Sequence, residues 1–237
     1  QAVLGTNATG DGKIEIKNRA LVRGSAYGGP TAKKDKVVEV KDSAVLTGGK
    51  GVMSANVNVP EVIEPEDFLL IPSSGDLSYT SGVTPLTGEI KCGKFTVGGT
   101  AVVAITGETV IYCTSDFLMR NNGRIVLFPG ATLELYVRGT INFDDDSHVN
   151  TTNADPYAVL INNIGSSTVA FKKQAQVYGT LLSRLGLVSV EGNSQFYGTA
   201  LALKLVVKNN AQLHVDTAPR LAKPSIRDYL VYWEERP

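Results

Sequence analysis

Two cysteines, two histidines, two methionines and one tryptophan are all that the 237 residues hold of the scarcer side chains. Two cysteines are too few for a disulfide scaffold, although one bridge can form, and with no Cys-x-x-Cys pair and no histidine nearby they do not propose zinc. Charge of one sign is missing as well: 23 Lys and Arg balance 23 Asp and Glu. No basic stripe or base-reading motif proposes nucleic acid, and zero net charge removes one barrier to self-association. No apolar run reaches the ~18 residues that span a bilayer, and no signal peptide is visible. No 3.6-residue apolar stripe outlasts two turns, so helical repeats are excluded. Gly-x-Ser-x-Gly, HExxH and phosphate-cradling loops are also lacking. The chain is nonetheless built to fold. Apolar residues make up 43% and charged residues only 19%, the reverse of a disordered composition. It opens at Gln1 without a methionine, which leads us to expect a processed or trimmed N-terminus with a leader or anchor helix upstream.

What is present is repetition. "QVYGT" at 176–180 returns as "QFYGT" at 195–199, and Gln176, Gln195 and Gln212 mark one phase, spaced 19 and then 17 residues. Each unit is a short alternating strand, a glycine, a second short strand and an Asn/Gly corner. "VRGT" at 137–140 and "KIEIKNRALVRGSAYGG" at 13–29 extend the pattern, with Gly139 and Gly24 in the place of Gly179. Ile14-Ile16, Val110-Tyr112, Phe117-Met119, Ile125-Leu127, Leu133-Leu135-Val137, Val188-Val190 and Leu205-Val206 fit period two or a short apolar run. Self-similarity near 20 residues, carried by strands and not helices, describes a stacked coil. The fold class expected is all-β: a single-stranded parallel β-helix, right-handed, with a non-repeating insertion and a C-terminal capping tail. In such a stack Val177 lies directly under Phe196. Asn121, Asn122, Asn193, Asn209 and Asn210 fall at corners, where asparagine tolerates positive φ. A β-sandwich also offers short strands and turns, but it does not explain near-identical pentapeptides one coil apart.

The breaks in the pattern set the expected organisation: N-terminal coils over 1–59, a Pro-rich excursion over 60–89, a main β-helix over 90–216 and a tail or cap over 217–237. Pro60, Pro65, Pro72 and Pro85 cannot donate to a ladder. "DFLLI" at 67–71 is too apolar to hang in water and either packs on the side of the stack or meets a partner; "YLVYW" at 229–233 either caps an end or meets another subunit. Phe68, Leu69, Leu70, Tyr229, Tyr232 and Trp233 are therefore the candidate interface residues.

Other candidates are weaker. Cys92 and Cys113 lie one coil apart, where stacked Cα atoms are roughly 5 Å from each other, close enough for a disulfide and an extracytoplasmic setting; the alternative is two free thiols in a column. "FDDDSH" at 143–148 reads as a solvated corner, with Asp144, Asp145, Asp146 and Asp155 as candidate calcium ligands. Asn7 and Asn150 open glycosylation sequons. Glycoside hydrolysis needs two facing carboxyl groups, and no second acidic strand stands beside the Asp run. His148 and His214 are far apart in the coil count. No catalytic residue and no cofactor is expected.

Residues 176–216 resemble the C-terminal β-helical region of bacterial type IV pilus assembly proteins of the PilX-like, minor-pilin-related kind. "FYGTALALKLVVKNNAQLHVD" follows their "fyGaivA…v.lsgna.fhyD" pattern, through His214 and Asp216, and "VYWEERP" at 231–237 is similar to their "sWrE" ending. "VLFPGATLELYVRGTINF" is similar to the coil before. The likeness covers 100–237 and, more loosely, 10–58; the hydrophobic N-terminal helix of a pilin is absent from the sequence. Weaker similarity extends to bactofilin-type β-helices, which polymerise end to end. The resemblance implies an extracellular or cell-surface structural or adhesive protein, pilus-associated or filament-forming and without catalysis. Its partners would be further copies or other surface or pilus subunits. The alternative is a polysaccharide-binding or polysaccharide-degrading β-helix module, in which Tyr178 and Tyr197 stack in register.

Overall fold

The structure, a computed structural model, describes residues 3–56 and 66–214. It is a parallel β-solenoid of about nine turns. Each coil has three faces. Face a is a three-residue strand such as Phe117–Met119; face b follows as Arg124–Leu127; face c follows as Thr132–Val137; the chain then enters face a of the next coil at Ile141–Phe143. Every strand pairing is parallel and joins like face to like face. Val177 pairs with Phe196, Tyr178 with Tyr197 and Gly179 with Gly198, so the duplicated pentapeptides lie directly one above the other.

The corner between faces a and b explains the asparagines. At seven coils two consecutive residues have positive φ: Asn18-Arg19, Asp42-Ser43, Asn121-Asn122, Asp145-Asp146, Lys173-Gln174, Gly192-Asn193 and Asn209-Asn210. Each pair is closed by an N–H donated back three residues, as from Ala175 to Lys172 O at 3.2 Å and from Ala211 to Lys208 O at 3.3 Å. Two positive φ values inside an i→i+3 bond make a type I′ turn, which Asn and Gly adopt at the least steric cost. The residue after the pair turns inward and must be small: Ala20, Gly123, Ser147, Ala175, Ser194 and Ala211 are all buried. Gly24 and Gly198, with φ of 151° and 136°, turn the corner from b to c. Gly139 instead turns from c to a, so its expected equivalence with Gly179 does not hold.

Inside the triangle the apolar columns are continuous. An aromatic ladder climbs through Tyr79, Phe95, Phe117, Phe143, Phe171 and Phe196, with successive ring centroids 4.9–5.7 Å apart. Each such contact adds about 0.5–1.5 kcal/mol beyond burial.

The order of coils along the axis differs from their order in the chain. The corner hydrogen bonds run from Asn122 to Asp145, from Asp146 to Lys173, from Gln174 to Gly192 and from Asn193 to Asn209, and then from Asn210 to Asn18 and from Arg19 to Asp42. The N-terminal coils therefore sit on the C-terminal end of the main stack. Ile14–Ile16 pairs with residues 205–207, and Leu21–Arg23 pairs with Gln212–His214. Counting from Leu77, the seventh coil is composite. Its faces a and b come from 205–207 and Gln212–His214, and its face c from Val3–Gly5, which lies between Leu201 and Ser25–Gly28.

One expected boundary shifts accordingly. The first coil begins at Leu77–Tyr79 and continues through Val83–Cys92, inside the segment read as an excursion. Pro85 belongs to it, tolerated because among the described residues this coil has a neighbour on one side only, so the missing N–H interrupts no internal ladder. The tail over 217–237 lies outside the described residues.

The type I′ corners predict a specific mutational pattern. Asn122→Ala should lower the free energy of unfolding in urea by about 1–2 kcal/mol, the steric cost of a Cβ-bearing residue in the left-handed region. Asn122→Gly should leave it within about 0.5 kcal/mol.

Candidate functional site

The two ends of the solenoid are its chemically unfinished parts. At one end Leu77–Tyr79 and Val83–Cys92 have a parallel partner on one side only among the described residues; at the other the same is true of Val38–Val40, Val45–Leu46 and Lys50–Val52. The core columns surface at the same places. Leu77, Tyr79, Leu86 and Ile90 at the first coil, and Val40, Ala44 and Leu46 at the ninth, pack on the core but stay partly exposed. The charges differ in sign. Residues 33–52 carry Lys33, Lys34, Lys36, Lys41 and Lys50 against Asp35, Glu39 and Asp42, whereas residues 74–92 carry Asp76 and Glu89 against Lys91. An unpaired edge over an exposed column is a template for another strand.

Face b offers a second ordered surface. Gln176, Gln195 and Gln212 form one outward column, and Tyr178, Tyr197 and His214 form the next. The rings stack with centroids 4.3 and 4.5 Å apart and planes within 4° and 9° of parallel. Tyr197 donates its hydroxyl to Gln195 Oε1, and His214 Nε2 lies 3.0 Å from Gln212 Oε1. Each ring covers the face of its neighbour in the next coil. Burial, together with the positive charge of Arg23, holds the His214 imidazole below its ordinary value.

The sequence candidates are dispersed. Asp144 and Asp145 pair with Lys173 at 3.5 and 2.9 Å. Asp146 faces His148 at 3.1 Å, and Asp155 accepts from Tyr157 N at 3.0 Å to cap a short 3-10 helix, Pro156–Ala158. No cluster of three metal-ligating side chains forms among the described residues. Asn150 is fully buried with its Nδ2 donating to Asp155 O at 2.6 Å, which leaves no room for a glycan; Asn7 is exposed.

Cys92 and Cys113 stack as expected but are free thiols, with Sγ atoms 3.7 Å apart. That separation follows the coil spacing, and a bond of about 2.05 Å would have to draw the column together. The hydrogen bond with Cys92 and burial hold the Cys113 thiol well above its ordinary value.

Phe68 is not an interface residue. It is 3% exposed, stacked 4.9 Å from Tyr112 and tilted against Tyr136 at 6.1 Å on the outside of face c, and Lys91 Nζ donates to Phe68 O at 2.7 Å. Leu69 and Leu70 point away, 77% and 85% exposed. Tyr229, Tyr232 and Trp233 lie outside the described residues. Which coils form the ends could not be read in the sequence, since no motif marks which coil lies last.

A family model described as a domain of unknown function, DUF7305, matches residues 74–221. The chain belongs to this family. No curated protein and no solved structure matches it. The DUF7305 match begins just before the first coil and takes in every main-stack strand. The N-terminal coils, 3–52, fall outside it and are stacked on its C-terminal edge.

Two outcomes follow. In an NMR pH titration His214 should titrate below the ordinary imidazole range, and Arg23→Gln should move its midpoint upward. The fold favours the neutral ring, so the stability tied to His214 is complete above the unfolded imidazole value and declines as pH falls from there toward the folded one. Phe68→Ala should loosen 66–76 from face c by about 3 kcal/mol, read as ~100-fold faster limited proteolysis in that segment with little change in the urea midpoint of the solenoid.

Proposed function

We propose that this DUF7305 protein is an extracellular structural or adhesive β-helix: a stiff rod, pilus-associated or filament-forming, that joins further copies or other surface subunits through its ends and carries out no catalysis. The observation that carries the reading is the pair of ends left open among the described residues. Both have the same strand polarity and the same three-sided outline, so the ninth coil of one copy meets the first coil of the next as any coil meets its neighbour. Such a contact is heterologous and does not close, which generates a filament. The opposite charge balance of the two ends favours that head-to-tail register, and Leu69, Leu70 and Val83, the last 70% exposed, add apolar surface near the first coil.

Support for a non-catalytic role comes from the outward acids. Glu15 contacts Lys204 and lies 2.7 Å from Lys17, Glu191 lies 2.8 Å from Lys208, and Asp145 lies 2.9 Å from Lys173. These carboxylates neutralise lysines across or within coils and do not face one another across a groove. The surface location rests on the resemblance in the C-terminal coils; free Cys92 and Cys113 lend it nothing.

Sedimentation tests the assembly. The weight-average mass should rise with protein concentration, and fibres or rods of variable length should appear by negative-stain microscopy. Leu46→Glu, which places a charge on the ninth coil's open column, should weaken association by about tenfold or more while the rod still folds. Uniform short rods at every concentration would contradict the reading.

A further inference from the structure

The seam in the seventh coil is the place where the chain closes on itself without a covalent link. Val3–Gly5 completes a coil that residues 205–207 and Gln212–His214 begin. Across the seam Leu205 donates to Lys13 O at 3.0 Å, Lys17 to Val207 O at 2.9 Å and Leu21 to Ala211 O at 3.0 Å. Asn18 Nδ2 donates to Asn209 Oδ1 at 2.9 Å, Thr6 Oγ1 donates to Leu203 O at 3.1 Å, and Lys204 contacts Glu15. Every one of these contacts joins residues about 190 positions apart. None requires that both sides belong to one chain.

We infer that the C-terminal edge of the DUF7305 stack is a receptor for the N-terminal coils of a second copy, so that molecules are linked by exchange of residues 3–52. The seam is a coil-on-coil junction with the same backbone ladder as every other step, and a swapped pair rebuilds it bond for bond. Exchange of an identical element is a low-cost route to association. The only covalent tie is the chain between Val52, beside the ninth coil, and Leu77, which starts the first. Because Phe68 holds Glu66–Leu69 against Tyr112 and Tyr136, in the second and third coils, residues 53–65 must make the link; they cover about six coil steps, ~29 Å, and can extend to roughly 45 Å. The connector is therefore long enough to reach an adjacent copy. The family boundary agrees with this division: the receptor lies within 74–221 and the donor before it. Swapped and unswapped forms share the same contacts, so the balance between them is set by local concentration. Exchange competes when copies are held near the mM effective concentration of a tethered segment, as they are within an assembly. This inference is independent of end-to-end stacking, which uses the first and ninth coils and leaves the seam untouched.

The native contact between Lys204 and Glu15 supplies the test. Heavy-isotope and unlabelled full-length chains, mixed one to one, are unfolded in denaturant and refolded together at about 1 mM. The monomer and oligomer fractions are separated and treated with a carbodiimide, which couples a carboxylate directly to an amine. The peptide joining Glu15 to Lys204 is then read by mass spectrometry. In the monomer fraction the two halves carry like labels. In the oligomer fraction about half of the joined peptides should carry unlike labels, the random limit for full exchange. Oligomers whose joined peptides are all of like label would overturn exchange while leaving end-to-end stacking intact; so would refolding that yields monomer alone. Glu15→Gln should abolish the joined peptide in both fractions, confirming which pair is read.

Discussion

The backbone hydrogen bonds between coils govern this molecule. A three-residue strand such as Phe117–Met119 has no partner in its own coil; its N–H and C=O groups are satisfied only by Phe95–Val97 on one side and Ile141–Phe143 on the other. Because a buried peptide group left unpaired is costly, each coil is stable only as a neighbour of other coils. Three consequences follow. Like faces must stack in register, which produces the Phe, Gln and Tyr columns. The ends must remain open or be covered. And the position of a coil along the axis is fixed by which edge it pairs with, whether or not that edge is adjacent in the chain.

The side chains make that constraint workable. The positive-φ pairs hold the a–b corner at nearly constant geometry, so the ladder keeps its register from coil to coil even where the sequence at the corner changes from Asn-Asn to Asp-Asp or Lys-Gln. Where the pair is Asp145-Asp146 the added charge is met by Lys173 in the next coil, itself the first residue of that coil's pair. Glu15 is held below its ordinary value: burial pushes it up, but hydrogen bonds to Lys17 and Lys204 outweigh that. It thus contributes stability that is present above the usual glutamate range and disappears as pH falls through its lowered value. The seam is therefore the one coil step in which an acid-sensitive charge pair joins the two ends of the chain.

Much of the architecture was legible in the residues. Repeating "QVYGT" and "QFYGT" identified neighbouring coils, and Val177 does lie under Phe196; the paired asparagines marked corners because few other residues accept that backbone. What could not be read was the coil order. Parallel edges carry no address: the lower edge of Ile14–Ile16 offers the same pattern of donors and acceptors as that of any face a strand, so nothing in the sequence says that it meets residues 205–207. The first coil was overlooked because Pro85 and Pro72 suggested irregular chain, and proline is acceptable where only one side is paired. The candidate sites were read less well because composition does not reveal direction. Asp144, Asp145, Asp146 and Asp155 look like a ligand set in the sequence, yet Asp144 and Asp145 turn to Lys173, Asp146 to His148 and Asp155 to the Tyr157 amide. That Phe68 packs on the side of the stack was one of the two expected outcomes, but its bed, Tyr112 and Tyr136 one coil apart, could not be recognised in the sequence.

Coil order is the claim on which the seam, the open ends and the assembly all depend, and a distance measurement reads it most directly. Spin labels at Lys41 and Arg120, in the ninth and third coils, should lie ~29 Å apart in the monomer, and labels at Lys41 and Glu191, in the ninth and sixth, ~14 Å apart, at about 4.8 Å per coil. A solenoid whose coils followed chain order would exchange the two values, with Lys41 near Arg120 and far from Glu191. That inversion would contradict the account.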